Sequence, residues 1–158
     1  MANQHRVAGP VLVTYNTVQL GYSRDGVTIR IEPKYLDIFS DDFGGASGAP
    51  ADTQLLGAIA TVTADFPKYD QTELHRLTAF EKAGTAGVLP QLGTLIRQES
   101  EYAVLLLDGK NEDWSFPVAF MRQPIEVNKG TKFSTLVVGW ECWINDTSAR
   151  LLFTHTVP

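Results

Sequence analysis

Apolar and polar side chains alternate along most of this chain, and a period of two belongs to strands that bury one face. Val27, Ile29 and Ile31 alternate with Thr28, Arg30 and Glu32. Ala60, Val62, Ala64 and Phe66 alternate with Ile59, Thr61, Thr63 and Asp65. Leu136, Val138, Trp140, Cys142 and Ile144 share one face, opposite Thr135, Val137, Gly139, Glu141 and Trp143. Val11, Val13 and Tyr15 begin the set, and Leu151, Phe153 and Val157 predict a last strand running to residue 157. Trp114, Phe116, Val118 and Phe120 form another face, but Pro117 cannot donate to a ladder and predicts an edge or a bulge there. Tyr102–Leu107 is apolar on both faces, so a central strand covered on both sides is expected. One-sided strands must pair and pack, which predicts a mainly β fold, an antiparallel sandwich or barrel.

The turns fit that reading. Ser23-Arg24-Asp25-Gly26 carries an Asp-Gly hairpin signal, and Leu107-Asp108-Gly109-Lys110-Asn111 carries another. Val127-Asn128-Lys129-Gly130-Thr131 can supply a third. One segment has a helical period instead. Asp70 and Glu73 make a capping box, Tyr69 and Leu74 occupy staple positions, and Leu74, Leu77 and Phe80 form one stripe. With Gly84 as the terminating residue, a single flanking α-helix is expected over 71–83. Residues 37–53 read as a long loop holding Asp37, Asp41, Asp42 and Asp52, three glycines, one proline and no basic residue. Loops of that length in a compact domain are usually functional or disordered, and this one reads as a solvated acidic connection or as an assembly arm.

The 158 residues suit a single domain spanning 1–158, large enough to hold a core without a disulfide or metal. Apolar residues make up 44% and charged ones 20%, a globular balance. No run approaches the length of a membrane helix, and Met1–Pro10 has no apolar stretch of the secretory kind. Ala2 stands where myristoylation needs glycine. Cys142 is the single cysteine, so no intramolecular disulfide or cysteine-rich zinc site is expected. The sequon Asn145-Asp146-Thr147 is expected to stay unused. The net charge is −5, and basic residues cluster nowhere. Tight nucleic-acid binding needs several phosphate contacts from Lys or Arg, so specific DNA binding is not expected.

No catalytic constellation emerges. His5, His75 and His155 stand far apart, outside any metalloprotease or Cys-His arrangement. His75 reads as a surface residue, and His155 as a satisfied core histidine on the Leu151/Phe153/Val157 face. Gly44-Gly45-Ala46-Ser47-Gly48 lacks the Gly-Lys-Ser/Thr ending of a phosphate loop. Asp37, Asp41 and Asp42 lack the spacing and closing glutamate of a calcium loop. Cys142 reads as a buried, inert thiol, and Trp143 as either an interface residue or one covered by the helix. The expectation is therefore a non-enzyme with no cofactor and no metal.

The N-terminal two thirds resembles the bacteriophage tail tube proteins. Gly9-Pro10-Val11-Leu12-Val13-Thr14-Tyr15-Asn16, followed by Val18-Gln19-Leu20-Gly21-Tyr22, is similar to their opening hairpin. Gly26-Val27-Thr28-Ile29-Arg30-Ile31-Glu32-Pro33-Lys34-Tyr35 is similar to the second, and the acidic Asp41-Asp42-Phe43-Gly44-Gly45 loop follows. A long strand, Leu56–Phe66, then leads into the helix with its Leu-Thr-Ala-Phe at 77–80. The resemblance implies rings, usually hexameric, stacked into a hollow virion tail tube that conducts genomic DNA without binding it specifically. Assembly would take place in the host cytoplasm. The partners implied are further copies of the chain and other tail proteins: the terminator, the baseplate hub and, where present, a sheath. No membrane partner is implied. A neck, tail-completion or baseplate ring protein of the same fold is the nearest alternative. A capsid decoration protein or a small β-barrel binding module lies further off.

Two groups of residues then become candidates. Ile38, Phe39, Asp41, Asp42, Phe43, Gly44 and Gly45 belong to a loop expected to be loose in one subunit and to order on a neighbour. Glu32, Asp65 and Glu141 lie on the less apolar strand faces, opposed there only by Arg30, and are candidates for a lumen lining. The helix assignment has its own test. Leu77→Asp should lower stability by more than about 2 kcal/mol in urea unfolding, because it sets a charge in an apolar interface.

Overall fold

A computed structural model describes residues 3–7, 10–67, 93–98, 100, 102–122, 124, 126–129, 134–147 and 149–157. The expected helix over 71–83, with Leu77 and His75, lies outside the described residues. The strands are β1 (Asn3–Val7), β2 (Leu12–Tyr15), β3 (Val18–Tyr22), β4 (Val27–Ile38), β5 (Asp52–Phe66), β6 (Ala103–Asp108), β7 (Asp113–Phe120), β8 (Glu126–Lys129), β9 (Ser134–Trp143) and β10 (Thr154–Thr156). They form one antiparallel sheet in the order β1-β4-β5-β9-β7-β6-β2-β3. β8 pairs with β9, and β10 pairs with β7. The mainly β antiparallel class is as expected, but the sheet is open rather than closed, with β1 and β3 at its two ends.

The sheet curls to enclose one face, on which most of its large apolar residues lie. Val13 and Tyr15 of β2, Val27 and Ile29 of β4, Val62 and Phe66 of β5, Leu105 and Leu107 of β6, Phe116 of β7, and Leu136 and Trp140 of β9 join one buried cluster. Tyr15 and Trp140 lie on strands separated by two others, yet their rings are 5.9 Å apart. The Tyr15 hydroxyl donates to the carbonyl of Ala119 at 3.0 Å, tying β2 to β7 through the interior. Burial pushes the Tyr15 phenol well above its ordinary range, as it does the Cys142 thiol, where the Glu141 carboxylate adds to the effect. Cys142 is thus fully buried, as expected.

β7 makes the corner. On one side β6 runs beside it from Asp113 to Ala119, and on the other β10 pairs with its start and β9 with its last residues, Val118–Phe120. Pro117 falls between these pairings, beside a register shift between Ala103 and Leu105 on β6. The missing N–H therefore sits where no ladder partner requires it, which is the bulge that Pro117 predicts.

Four expectations need correction. The Asp-Gly signal at 25–26 does not make a hairpin: β3 and β4 are not paired. Asp25 (φ 55) and Gly26 (φ 84) turn the chain from one wall of the curled sheet to the other. Arg24 N–H, donating to Asp65 O at 2.7 Å, fixes that corner. The two-residue β2–β3 hairpin uses Asn16 (φ 52) and Thr17 (φ 65) instead. The β6 strand is interior in the order, but only one of its faces is covered among the described residues: Val104 is 45% exposed. β10 is only three residues long, and Val157 beyond it is exposed. His155 is not a core residue. It stacks on Trp114 at 4.4 Å on the surface, with Nε2 2.8 Å from Glu112 Oε2. The Leu107–Asn111 turn does close the β6–β7 hairpin, with Gly109 N–H donating to Glu112 O.

Because the Tyr15 hydroxyl spans the core to a backbone acceptor, Tyr15→Phe isolates one hydrogen bond at unchanged ring packing. Urea unfolding should show a loss of about 0.5–1.5 kcal/mol, rising further only through the unmet Ala119 carbonyl.

Candidate functional site

The first candidate is the segment after Glu32. β4 and β5 stay paired as far as Ile38 and Asp52, so the expected loop 37–53 is the end of a long hairpin arm. The arm leaves the body at a bulge. Lys34 pairs with Gly57 and Tyr35 with Leu55, which leaves Leu56 as the extra residue. Gly57 takes φ +155 there, a conformation that side-chain-bearing residues rarely adopt.

Beyond the bulge the arm has no core to cover. Tyr35 and Leu55, a register pair, are 57% and 62% exposed. Leu36, Leu56, Ile38 and Phe39 are exposed as well. Sequence reasoning named Ile38, Phe39 and Phe43 and missed Tyr35, Leu36, Leu55 and Leu56. The signal was present: both Tyr35-Leu36 and Leu55-Leu56 break the alternation with adjacent apolar residues.

The tip is built rather than structureless, which corrects the expectation of a loose loop. Two 3-10 turns, Asp41–Phe43 and Gly45–Ser47, hold it. Ser40 O accepts from the N–H groups of Phe43 and Gly45, and Ile38 O accepts from Ala51 N–H. Gly44 (φ +92) lies in the left-handed region, and a Cβ on Gly48 would meet the Phe43 carbonyl at 1.9 Å. Phe43 stands exposed on this knob, flanked by Asp41 and Asp42. Thr53 Oγ1 donates to Asp37 Oδ1 at 2.9 Å, closing the polar edge of the arm.

The second candidate is the outer face of β4, β5 and β9. Glu32 and Glu141 both line one open basin there of about 760 Å³, floored by Thr61, Thr63 and Gly139. Asp65 lies further along β5, where it pairs with Val137, and does not line the basin. The acidic residues are not opposed by Arg30 alone. Glu32 pairs with Arg30 at 2.6 Å and with Lys34 at 3.4 Å. Glu141 is nearly buried and accepts from Arg122 at 3.1 Å and from Trp143 Nε1 at 2.8 Å. Trp143 is half-buried, edge-on to Phe120 at 4.5 Å with the Arg97 guanidinium 5.3 Å from its ring centre. Arg97 also pairs with Asp146, and so pins residues 93–98 to the end of β9.

The Glu141 carboxylate thus holds two donors in a shielded position. Glu141→Ala should cost about 1–3 kcal/mol in urea unfolding, since it strands the Trp143 N–H. Glu141→Gln keeps an acceptor for Trp143 and should cost less than half as much. Equal losses for the two variants would contradict this account of the contact.

No protein-family model matches the chain, and no curated protein matches it. Among solved structures it is similar to a chain described as "Virion of native gene transfer agent (GTA) particle", with a TM-score of 0.51. The two share 12% identity over 93% of this chain and 95% of that one. At that identity the likeness is one of fold, and it spans nearly the whole length of both chains.

Proposed function

We propose that this chain is a virion structural protein: a subunit of stacked, hexameric rings that form the tail tube through which genomic DNA passes. The observation that carries the reading is the hairpin arm. A paired extension that holds seven exposed large apolar residues, from Tyr35 to Leu56, gains nothing in an isolated subunit. Burying each against another copy would contribute about 1.5–3 kcal/mol before the cost of association. The likeness in fold to a chain of a virion particle supports the same reading.

Other features agree with it. Among the described residues β1 and β3 stand at the ends of the sheet, and ring closure would pair such edges. The polar outer face, with Glu32, Glu141 and Asp65, is the wall we assign to the lumen. Each of the first two carboxylates holds a basic side chain, so that face would present DNA with few unpaired cations. The chain would act by shape and assembly, without a catalytic step. Its partners would be its own copies and the other proteins of the tail.

Electron microscopy of the purified protein tests this directly. The full chain should form tubes, and a variant in which Asn-Gly replaces 36–54 should keep the monomer's thermal transition while losing tubes. Single rings that never stack would favour a neck or baseplate ring. Normal tubes from the armless variant at equal concentration would contradict the role given to the arm.

A further inference from the structure

On the outer face, at the root of the arm, lies a cleft of about 470 Å³. Leu56, Ile59, Trp143 and Ile144 make its apolar walls, and Lys34 and Arg97 stand at its rim. Among the described residues Lys34 pairs with Glu32 at 3.4 Å, and Arg97 pairs with Asp146 and lies over the Trp143 ring. The bulge generates the cleft, because it displaces Leu56 from the ladder, and Gly57 leaves the floor open beneath Ile144.

The same chain carries a complementary shape. The arm tip presents Phe43 and Phe39, both exposed, together with the exposed Asp41 and Asp42. Its glycine-dependent turns give that aromatic–acidic knob a defined shape within one copy. An apolar cleft with a basic rim matches an aromatic knob with an acidic rim in both shape class and sign. The knob and the cleft sit at opposite ends of one arm, so a chain's own tip cannot fold back into its own cleft along the paired ladder.

We infer that the arm tip of one copy docks in the Lys34/Arg97 cleft of another, with Phe43 seated against Leu56 and Trp143 and the two aspartates facing the two cations. The contact is head-to-tail, because knob and cleft are different surfaces. Repeated from copy to copy, such a contact propagates into a ring or a stack, whereas two copies exchanging tips reciprocally would close as a two-fold dimer. The inference rests on the assembly reading and names the receptor for the arm. The buried apolar contact would hold the complex, and the rim charges would set its register and rate of association.

Cross-linking separates the possibilities. Phe43→Cys and Lys34→Cys are made in separate chains, mixed, assembled and mildly oxidised, with Phe43→Cys plus Val104→Cys as the control pair. Cys142 is fully buried and stays silent in the folded protein. The 43–34 heterodimer should accumulate at least about tenfold over the control, as effective concentration dictates for apposed thiols. Asp41→Lys should weaken assembly of the unmodified chain, and Asp41→Lys with Lys34→Glu should recover it. Assemblies that form with no 43–34 cross-link above control, and that the Asp41→Lys change leaves unaffected in the otherwise unmodified chain, would overturn this inference and leave the arm's role standing, with the cleft open to another occupant. Protein that stays monomeric at every concentration would overturn both.

Discussion

One buried face on one continuous sheet is the constraint from which the rest of the molecule follows. Every long strand contributes its apolar side to the same cluster, and a flat sheet could not close that cluster. The sheet must curl until β2 meets β9, and the Tyr15–Trp140 contact marks where it does so. The corner is placed at β7, where Pro117 has no ladder bond to lose. The Asp25–Gly26 turn serves the same closure from the other side, carrying the chain between the walls.

The arm is what happens where that constraint ends. β4 and β5 continue as a paired ribbon beyond the core, and the bulge at Leu56 releases them from its geometry. Backbone hydrogen bonds hold the ribbon, while its large apolar side chains stay exposed, uncovered among the described residues. A two-stranded ribbon alone is marginal in water. Its apolar surface is therefore understandable as part of an interface, and the turned tip as part of that contact.

Period-two segments such as 27–31, 60–66 and 136–142 were legible because one face of each is truly buried, so local pattern and tertiary packing agree. Tyr102–Leu107 misled because apolar content on both faces states only that both could be covered, and Val104 and Leu106 are uncovered within the described chain. The Asp-Gly signal at 25–26 reported a positive φ correctly and the pairing incorrectly, since the same dihedrals suit a corner. The arm was half legible. Its acidic, glycine-rich tip stood out, but its length did not, because ladder pairing past Pro33 depends on β5 rather than on any pattern in 33–38. The partners of Glu141 were half legible: the period of two sets Trp143 beside it on one face, whereas nothing in the pattern points to Arg122. Arg122 reaches it only by folding.

The central claim is that the arm's apolar surface exists to be covered by another copy. Hydrogen exchange measured on the same protein as monomer and as assembly tests this most directly. The account predicts protection rising by more than about tenfold at tip amides 39–48 on assembly, while the β5 and β9 core amides change little. Equal exchange of those tip amides in both states would contradict it.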